Sequence, residues 1–185
     1  MSDDLYSRTV RGLQFNVAQL LKQATGSRRL YNVIAEWSAT DDGLVVAAPL
    51  RGYVRFLRIG NGVLVTGQLE TVVQLTCSRC LSEYLLPLHL DLEEEFRPTI
   101  DIVTGVWLEQ EPDQDQANLI DQHHTLDLTE VIRQDIWLSL PTSPLCRPDC
   151  QGLCPQCGQN RNEGNCSCPT EAVDPRWISL LVKRS

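Results

Sequence analysis

Apolar and polar residues alternate along the middle of the chain, from Val33 to Phe96. In the clearest stretch the apolar residues occupy odd positions, and they are Val63, Val65, Leu69, Val73 and Leu75. The same alternation continues on even positions further along, at Leu86, Leu88, Leu90 and Leu92. A period of two is typical of strands with one buried face. The pattern therefore predicts long antiparallel strands that fold back on one another.

Turn residues separate these strands. Gly60-Asn61-Gly62 lies between two apolar runs and predicts a hairpin with Asn-Gly at its tip. The strand that follows would reach about 50 Å if flat, so we expect a bend or bulge at Gly67. Its end is Cys77-Ser78-Arg79-Cys80, which places a Cys-x-x-Cys pair at the tip of the next hairpin.

Three segments have helical periodicity. The first begins near Asn16, with Gln19 completing a capping box, and ends near Gly26. The second begins at Asp127-Leu128-Thr129-Glu130 and ends before Pro141. Asp174-Pro175 begins a third, amphipathic helix at the end of the sequence, which we expect to pack back on the sheet.

These elements predict an α+β fold: an antiparallel, strongly bent β-sheet or partial barrel with flanking helices. We expect residues 1–141 to form the core domain. Residues 142–185 would form a small Cys-rich, zinc-binding module that carries the C-terminal helix. Between them, the segment of about 109–124 is rich in Asp, Glu and Gln and is predicted to be a mobile loop.

The net charge of -8 is concentrated in one block. Residues 91–135 contain thirteen Asp or Glu against two Lys or Arg, a net of -11, whereas the flanking segments come to +2 and +1. Charge therefore neither excludes RNA nor supplies a dense basic patch. Weak candidates for binding contacts are Arg28, Arg29, Arg79 and Arg176, although Ser27-Arg28-Arg29 is more typical of a solvated basic turn.

Cysteine provides the strongest chemical signal, because six of the eight cysteines lie between Cys146 and Cys168. No apolar run is long enough to span a membrane and no secretory leader is apparent, so we expect a cytoplasmic protein whose thiols stay reduced. Clustered reduced cysteines are typical of metal ligands. Disulfides, and reduced thiols in a turn, remain the alternatives.

Eight thiolates complete two tetrahedral sites. The simplest partition assigns Cys77, Cys80, Cys146 and Cys150 to one, and Cys154, Cys157, Cys166 and Cys168 to the other. The paired knuckles favour two zinc ions, with an iron–sulfur cluster as the alternative.

Catalytic motifs are absent from the sequence: there is no Gly-rich phosphate loop, nucleophile elbow or His-Glu-x-x-His. Glu93-Glu94-Glu95 and His123-His124 are best interpreted as solvated. We therefore expect a non-enzymatic protein with no catalytic residues and no small-molecule substrate.

Three segments together resemble the YceD family, bacterial and plastid proteins associated with accumulation of large-subunit ribosomal RNA. They are Leu75–Leu81, Leu126–Leu128 with the helix through Pro141, and Asp174–Leu181. Gly152–Gly158 followed by a close cysteine pair is similar to the C-terminal cluster of some members. The resemblance implies ribosome assembly, with pre-ribosomal large-subunit RNA or a large-subunit ribosomal protein as partner.

Two hypotheses of other classes compete with this one. A cytosolic thiol oxidoreductase or redox sensor would use Cys77 and Cys80, although such a pair usually opens a helix and no helical pattern follows Cys80. An adaptor would recruit a basic protein through the acidic segment 109–122.

Overall fold

The computed structural model describes residues 8–37, 43–109 and 115–168. The strands in chain order are β1 Arg8–Arg11, β2 Gln14–Asn16, β3 Arg28–Ala35, β4 Val45–Ile59, β5 Gly62–Thr76, β6 Glu83–Pro98, β7 Leu119–Ile120 and β8 Thr125–Asp127. The helices are α1 Ala18–Leu21 and α2 Thr129–Ser139, and Gln116–Asn118 form a turn of 3-10 helix.

Six strands form one strongly curled, half-barrel sheet in the order β1-β3-β4-β5-β6-β7. The β3-β4-β5-β6 centre is antiparallel, as predicted, whereas β1 runs parallel to β3 and β7 runs parallel to β6. The sheet is therefore mixed, and the prediction of an antiparallel sheet is only partly right, because the strand at each edge is parallel to its neighbour. β2 and β8 form a separate antiparallel pair.

The alternation read from the sequence corresponds to the buried face of the sheet. Val63, Val65, Leu69 and Val73 of β5 are at most 1% exposed, and Leu88, Leu90 and Leu92 of β6 are at most 6% exposed. Helix α2 covers this inner face with Ile132 and Ile136. An aromatic cluster of Phe15, Tyr31 and Phe56, with ring centroids 4.9–5.2 Å apart, anchors β2 to the sheet.

The predicted irregularity lies elsewhere than at Gly67. β5 pairs without interruption with β6, whereas the pairing of β4 with β5 shifts between Val46 and Ala48 and again between Ala48 and Arg51. At each shift β4 has one residue more than β5, which is a bulge, and Pro49 lies in the second one. Proline has no backbone N–H to donate, so a bulge is where a strand tolerates it.

Gly67 instead allows two strands to approach closely. A Cβ there would lie 2.4 Å from the Tyr53 carbonyl oxygen. The hairpin tip also differs by one residue, because Ile59 pairs with Gly62 and the turn is Gly60-Asn61.

The predicted residues cap both helices, but they do so without the reciprocal hydrogen bond of a capping box. The Ala18 N–H donates to Asn16 Oδ1 at 3.1 Å, and the Thr129 N–H donates to Asp127 Oδ1 at 2.8 Å. Glu130 pairs with Arg133 at 2.6 Å rather than reaching back to the cap. α1 is only four residues long, and it follows two short strands, β1 and β2, which the sequence pattern does not predict.

Two segments expected to be loops are partly regular. Arg28 and Arg29 begin β3 rather than forming a solvated turn. Residues 115–124, assigned to the acidic loop, contain the 3-10 turn and β7, and the Ala117 N–H donates to Asp115 Oδ1 at 2.9 Å. Residues 110–114 and the predicted C-terminal helix lie outside the described residues.

Neither α1 nor α2 has the length and apolar character that a helix needs to cross a bilayer, and this holds for every helix within the described ranges.

Candidate metal centres

The first cysteine pair is held by the hairpin that joins β5 to β6. β5 ends at Thr76 and β6 begins at Glu83, so Cys77 and Cys80 lie in a tight connection. The Cys77 N–H donates to the Ser82 carbonyl at 2.9 Å, and the Leu81 N–H donates to the Cys77 carbonyl at 3.0 Å. Two long paired strands therefore fix the position and direction of both thiols.

A second knuckle with the same backbone arrangement begins at Cys154. The Cys154 N–H donates to the Gln159 carbonyl at 2.8 Å, and the Gly158 N–H donates to the Cys154 carbonyl at 2.9 Å. The residue after each pair adopts a positive φ, 58° at Leu81 and 72° at Gly158. The repeated geometry shows that both Cys-x-x-Cys pairs fold as the same tight turn.

The structure gathers the eight thiols into two groups of four, and within each group every sulfur lies within 4.8 Å of the others. Among the described residues, one group is Cys77, Cys80, Cys146 and Cys150, and the other is Cys154, Cys157, Cys166 and Cys168. We call them the hairpin cluster and the module cluster. This grouping is the partition that the sequence suggested.

The two clusters differ in burial. In the hairpin cluster Cys77, Cys150 and Cys80 are 0%, 3% and 5% exposed, and Cys77 Sγ lies 3.7 Å from Cys150 Sγ. In the module cluster only Cys154 is buried, while Cys157 is exposed. The hairpin cluster therefore lies inside a small core, which also contains Tyr84, Leu145 and Leu153.

Backbone contacts join the hairpin tip to the segment that follows α2. The Ser78 N–H donates to the Pro144 carbonyl at 2.8 Å, and the Leu153 N–H donates to the Arg79 carbonyl at 3.1 Å. Gly152, at φ 72°, lies so near this contact that a Cβ would be 3.1 Å from the Arg79 carbonyl oxygen. The cysteines are thus brought together by a specific interface between two distant parts of the chain.

Hydrogen-bond donors prepare one thiol of each cluster for ionisation. Burial raises the pKa of Cys77, but backbone N–H groups of Cys146, Cys80 and Arg79 outweigh it and bring that pKa to about 6. In the module cluster, backbone N–H groups of Cys157 and Gln156 lower the pKa of Cys154 to about 6.

Another thiol of each cluster has a pKa that is raised rather than lowered. Burial, followed by hydrogen bonds among the sulfurs, raises the pKa of Cys146 to about 12. The interaction with Cys157, followed by burial, raises the pKa of Cys168 to about 12. Once one thiol of a cluster is ionised, its negative charge disfavours ionisation of the neighbouring thiols. A bound cation would offset this repulsion and allow all four sulfurs to be thiolates.

The donor set fits a metal that prefers sulfur. Four thiolates in a compact group suit zinc or iron, and they are unsuited to the hard cations magnesium and calcium, which take oxygen ligands. Four cysteines also complete a tetrahedral coordination sphere, so such a site holds a metal without offering it to substrate. Either cluster is therefore able to bind a metal ion.

Two residues that support the clusters were missed by sequence reasoning. Asn162 Nδ2 lies 3.3 Å from Cys150 Sγ, while Asn162 Oδ1 accepts from the Gln151 N–H at 2.9 Å. Arg161 interacts with the thiolate of Cys154, which raises the pKa of the guanidinium. Both lie in the polar run between Cys157 and Cys166, and nothing in its spacing distinguishes them from solvated residues.

The weak candidates for binding contacts are dispersed. Arg79 Nη1 donates to the Cys150 carbonyl at 3.0 Å, so this guanidinium supports the hairpin cluster. Arg28 is exposed at the start of β3, and Arg29 beside it is half-buried. Arg176 lies outside the described residues.

Comparisons with known proteins identify the family. The family model described as "Large ribosomal RNA subunit accumulation protein YceD" matches residues 65–182. An uncharacterized protein of Mycobacterium tuberculosis is 35% identical over 148 residues, covering 79% of this chain and 65% of that protein. The chain thus spans less than two thirds of the length of the curated relatives it matches.

A plant relative also matches. The "Large ribosomal RNA subunit accumulation protein YCED homolog 1, chloroplastic" of Arabidopsis thaliana is 24% identical, with 84% of this chain and 57% of that protein covered. No solved structure matches the chain. The family model covers the hairpin tip and both cysteine clusters, and on this evidence the chain belongs to the YceD family.

Proposed function

We propose that this chain is a non-enzymatic ribosome assembly factor that supports accumulation of large-subunit ribosomal RNA and is stabilised by structural zinc. The observation that carries the proposal is the pair of four-cysteine clusters in a chain of the YceD family. The hairpin cluster joins the sheet to the segment after α2, so a metal there would hold two parts of the molecule in one arrangement.

Its partner would be pre-ribosomal large-subunit RNA or a large-subunit ribosomal protein, in the bacterial cytoplasm. The name of the Arabidopsis relative refers to the same process in the chloroplast. An assembly factor needs a defined surface and no reaction centre, which agrees with cysteine ligation that leaves no coordination position open.

Cosedimentation tests the assembly role. Lysate from cells that express the tagged chain is fractionated on a sucrose gradient at low and at moderate salt, and large-subunit ribosomal RNA is quantified after deletion of the gene. We expect the chain in precursor large-subunit fractions at low salt, and less mature large-subunit RNA after deletion. Absence from all those fractions, together with normal RNA levels, would end the proposal.

Elemental analysis tests the metal assignment. We expect two zinc ions per chain, and one in either Cys77→Ser or Cys154→Ser, because the clusters share no ligand. Ser139→Ala serves as a control because this exposed residue ends α2 and lies outside both clusters. Iron with visible absorbance would assign iron–sulfur clusters instead.

The redox alternative has less support. Cys77 is 0% exposed and lies among three other thiols. A redox pair consists of two cysteines, and one of its sulfurs must be accessible to a substrate. Alkylation decides between them: zinc-bound thiolates react slowly until a chelator is added, while a redox cysteine reacts at once. Recruitment of a basic protein by the acidic segment 109–122 stays a prediction, and deletion of that segment tests it.

A further inference from the structure

The outer face of the sheet, opposite the face that α2 covers, is divided by charge. On β1, β3 and β4 its exposed residues include Arg11, Arg28, Arg51 and Arg55. On β5 and β6 they include Glu70, Asp91, Glu93 and Glu95. We call the first set the basic half and the second the acidic half.

Strand pairing brings the four arginines of the basic half together. Arg11 pairs with Ile34, and Ile34 pairs with Arg51, so these two arginines are two strands apart, about 10 Å. Arg51 and Arg55 are four residues apart on β4, about 13 Å. Arg28 pairs with Leu57 and is therefore a diagonal neighbour of Arg55.

These arginines are not engaged elsewhere in the described parts of the chain. Within residues 8–37, 43–109 and 115–168, the side chains of Arg11, Arg28, Arg51 and Arg55 make no hydrogen bond or ion pair. Arg51 lies opposite Glu70 in the pairing, but Glu70 Oε1 is 3.3 Å from His89 Nδ1 instead. An anion arriving at this surface would thus meet guanidinium groups that have no partner among the described residues.

An exposed aromatic residue lies at the centre of the basic half. Tyr53 is on β4 between Arg51 and Arg55 and is 37% exposed. Its hydroxyl donates to Gln68 Oε1 at 3.1 Å, which restrains the ring on the sheet. Aromatic rings on a sheet surface stack on unpaired nucleic-acid bases, and arginines around them bind the phosphates.

The basic surface continues over the edge of the sheet. A cavity of about 370 Å³ opens beside β1, and its lining includes Arg8, Arg11 and Tyr31 with Asn16. The edge therefore adds a concave region with donors for phosphate or sugar oxygens.

We propose that the basic half of the outer sheet face binds single-stranded RNA, with phosphates on Arg11, Arg28, Arg51 and Arg55 and a base stacked on Tyr53. This inference rests on the proposed function and specifies its ligand and surface. The acidic half repels phosphate, so it confines the strand to β1, β3 and β4. A basic stripe bordered by acid and centred on an aromatic residue complements a polyanion that has accessible bases.

Fluorescence anisotropy with a labelled 12-nucleotide single-stranded RNA tests the surface. The full zinc-loaded chain is titrated from about 50 to 200 mM salt, and each arginine that contacts a phosphate contributes about 0.7 to the salt slope. We expect Arg51→Gln and Arg55→Gln each to lower that slope, and Tyr53→Ala to weaken binding about 5- to 150-fold.

Two variants serve as controls. Arg133→Gln removes a cation on α2, which covers the opposite face of the sheet, and should leave binding unchanged. Glu93→Gln removes a negative charge from the acidic half and should strengthen binding slightly. Circular dichroism of each variant establishes that the fold is retained.

The RNA-binding and cosedimentation experiments together distinguish a failure of this inference from a failure of the proposed function. RNA binding that is insensitive to the Arg51, Arg55 and Tyr53 variants overturns the inference, although the assembly role stands if cosedimentation is positive. Cosedimentation lost in these variants without any affinity for RNA shows that the face binds a protein instead, which also overturns it. Negative cosedimentation together with normal RNA levels overturns the proposed function itself.

Discussion

Asp127 holds two parts of the molecule through its two carboxylate oxygens. Oδ1 accepts from the Thr129 N–H at the start of α2, and Oδ2 accepts from Gln14 Nε2 on β2, both at 2.8 Å. Burial raises its pKa, but the hydrogen bonds from Thr129 and Gln14 outweigh this effect, and the net pKa is below its ordinary 3.8. The native state therefore favours the ionised form.

The first prediction concerns this carboxylate. A lowered native pKa contributes stability above the ordinary value, and that contribution is lost as the pH falls below about 3.8. We expect Asp127→Ala to lower the free energy of unfolding by about 1 kcal/mol at pH 7. The difference from wild type should shrink towards pH 3 in urea unfolding. Asp127→Asn keeps a capping acceptor and serves as the control; a cost of Asp127→Ala that does not change with pH would contradict the account.

The second prediction compares the residues that follow the two knuckles. Leu81 adopts φ 58°, where an L-residue is strained by about 1–2 kcal/mol, and it is 63% exposed. Glycine relieves that strain but gains entropy in the unfolded chain of about 0.4–1 kcal/mol. We expect Leu81→Gly to stabilise the protein by about 0.5 kcal/mol.

The matched variant is Gly158→Ala, at φ 72° with open space around its Cβ. It should destabilise the protein by about 0.5 kcal/mol, because the strain of a positive φ is partly offset by the smaller conformational entropy of alanine in the unfolded chain. Both are measured by urea unfolding at a fixed free zinc concentration. A change in the same direction for both substitutions would show that the positive φ does not set the stability of these turns.

At the scale of the elements, the close approach of strands in the curled sheet depends on glycines. Cβ atoms built at Gly52, Gly62 and Gly67 would lie 2.0–2.4 Å from carbonyl oxygens of the neighbouring strand. The bulges on β4 add local twist beside them. The curvature of the sheet therefore depends on the backbone as well as on its apolar face.

The third prediction is a test of this close approach. Gly67→Ala places a methyl group 2.4 Å from the Tyr53 carbonyl oxygen and 3.0 Å from Val54 Cγ1. We expect the free energy of unfolding to fall by about 1–3 kcal/mol because the backbones must separate. Gly60→Ala, in the turn of the same hairpin with nothing within 4 Å, should change it by less than about 0.5 kcal/mol. An equal loss of unfolding free energy in both variants would show that the close approach of the strands at Gly67 does not cause the destabilisation.

In the whole molecule, two kinds of stabilisation are separated in space. The sheet has an extensive apolar core that includes Phe56, Phe96 and Ile132, each fully buried. The polar segment from Cys146 to Cys168 has few apolar residues, and its six thiols belong to the two clusters. Metal binding at such sites contributes on the order of 10 kcal/mol to folding.

The fourth prediction follows from this separation. Removing the proposed zinc with a chelator should unfold residues 142–168 while the sheet persists, so trypsin would cut first at Arg161, because Pro148 blocks cleavage after Arg147. Mass spectrometry of the fragments identifies the order of cleavage. Addition of zinc before the protease should restore protection, and simultaneous cleavage in the sheet would show that the two parts unfold as one unit.

Local rules were enough to predict much of this protein. Alternation identified the buried faces of β5 and β6, and the turn residues placed Cys77 and Cys80 at a hairpin tip. The four-ligand requirement suggested how eight cysteines divide, and this is the grouping that the structure shows. These features depend on nearest neighbours along the chain or on the chemistry of one residue type.

Tertiary structure decided what depends on contacts between distant segments. The parallel pairing of β1 and β7 and the bulges on β4 arise from how strands meet, because short edge strands have too few residues for a periodic signal. Asn162 supports the hairpin cluster only because the module folds back on it. Arg11, Arg28, Arg51 and Arg55 are dispersed in sequence, and strand pairing alone gathers them into one basic surface. The sequence by itself determined the buried strand faces and suggested how the cysteines group, whereas only the fold decided where charges converge, because convergence depends on contacts between distant segments.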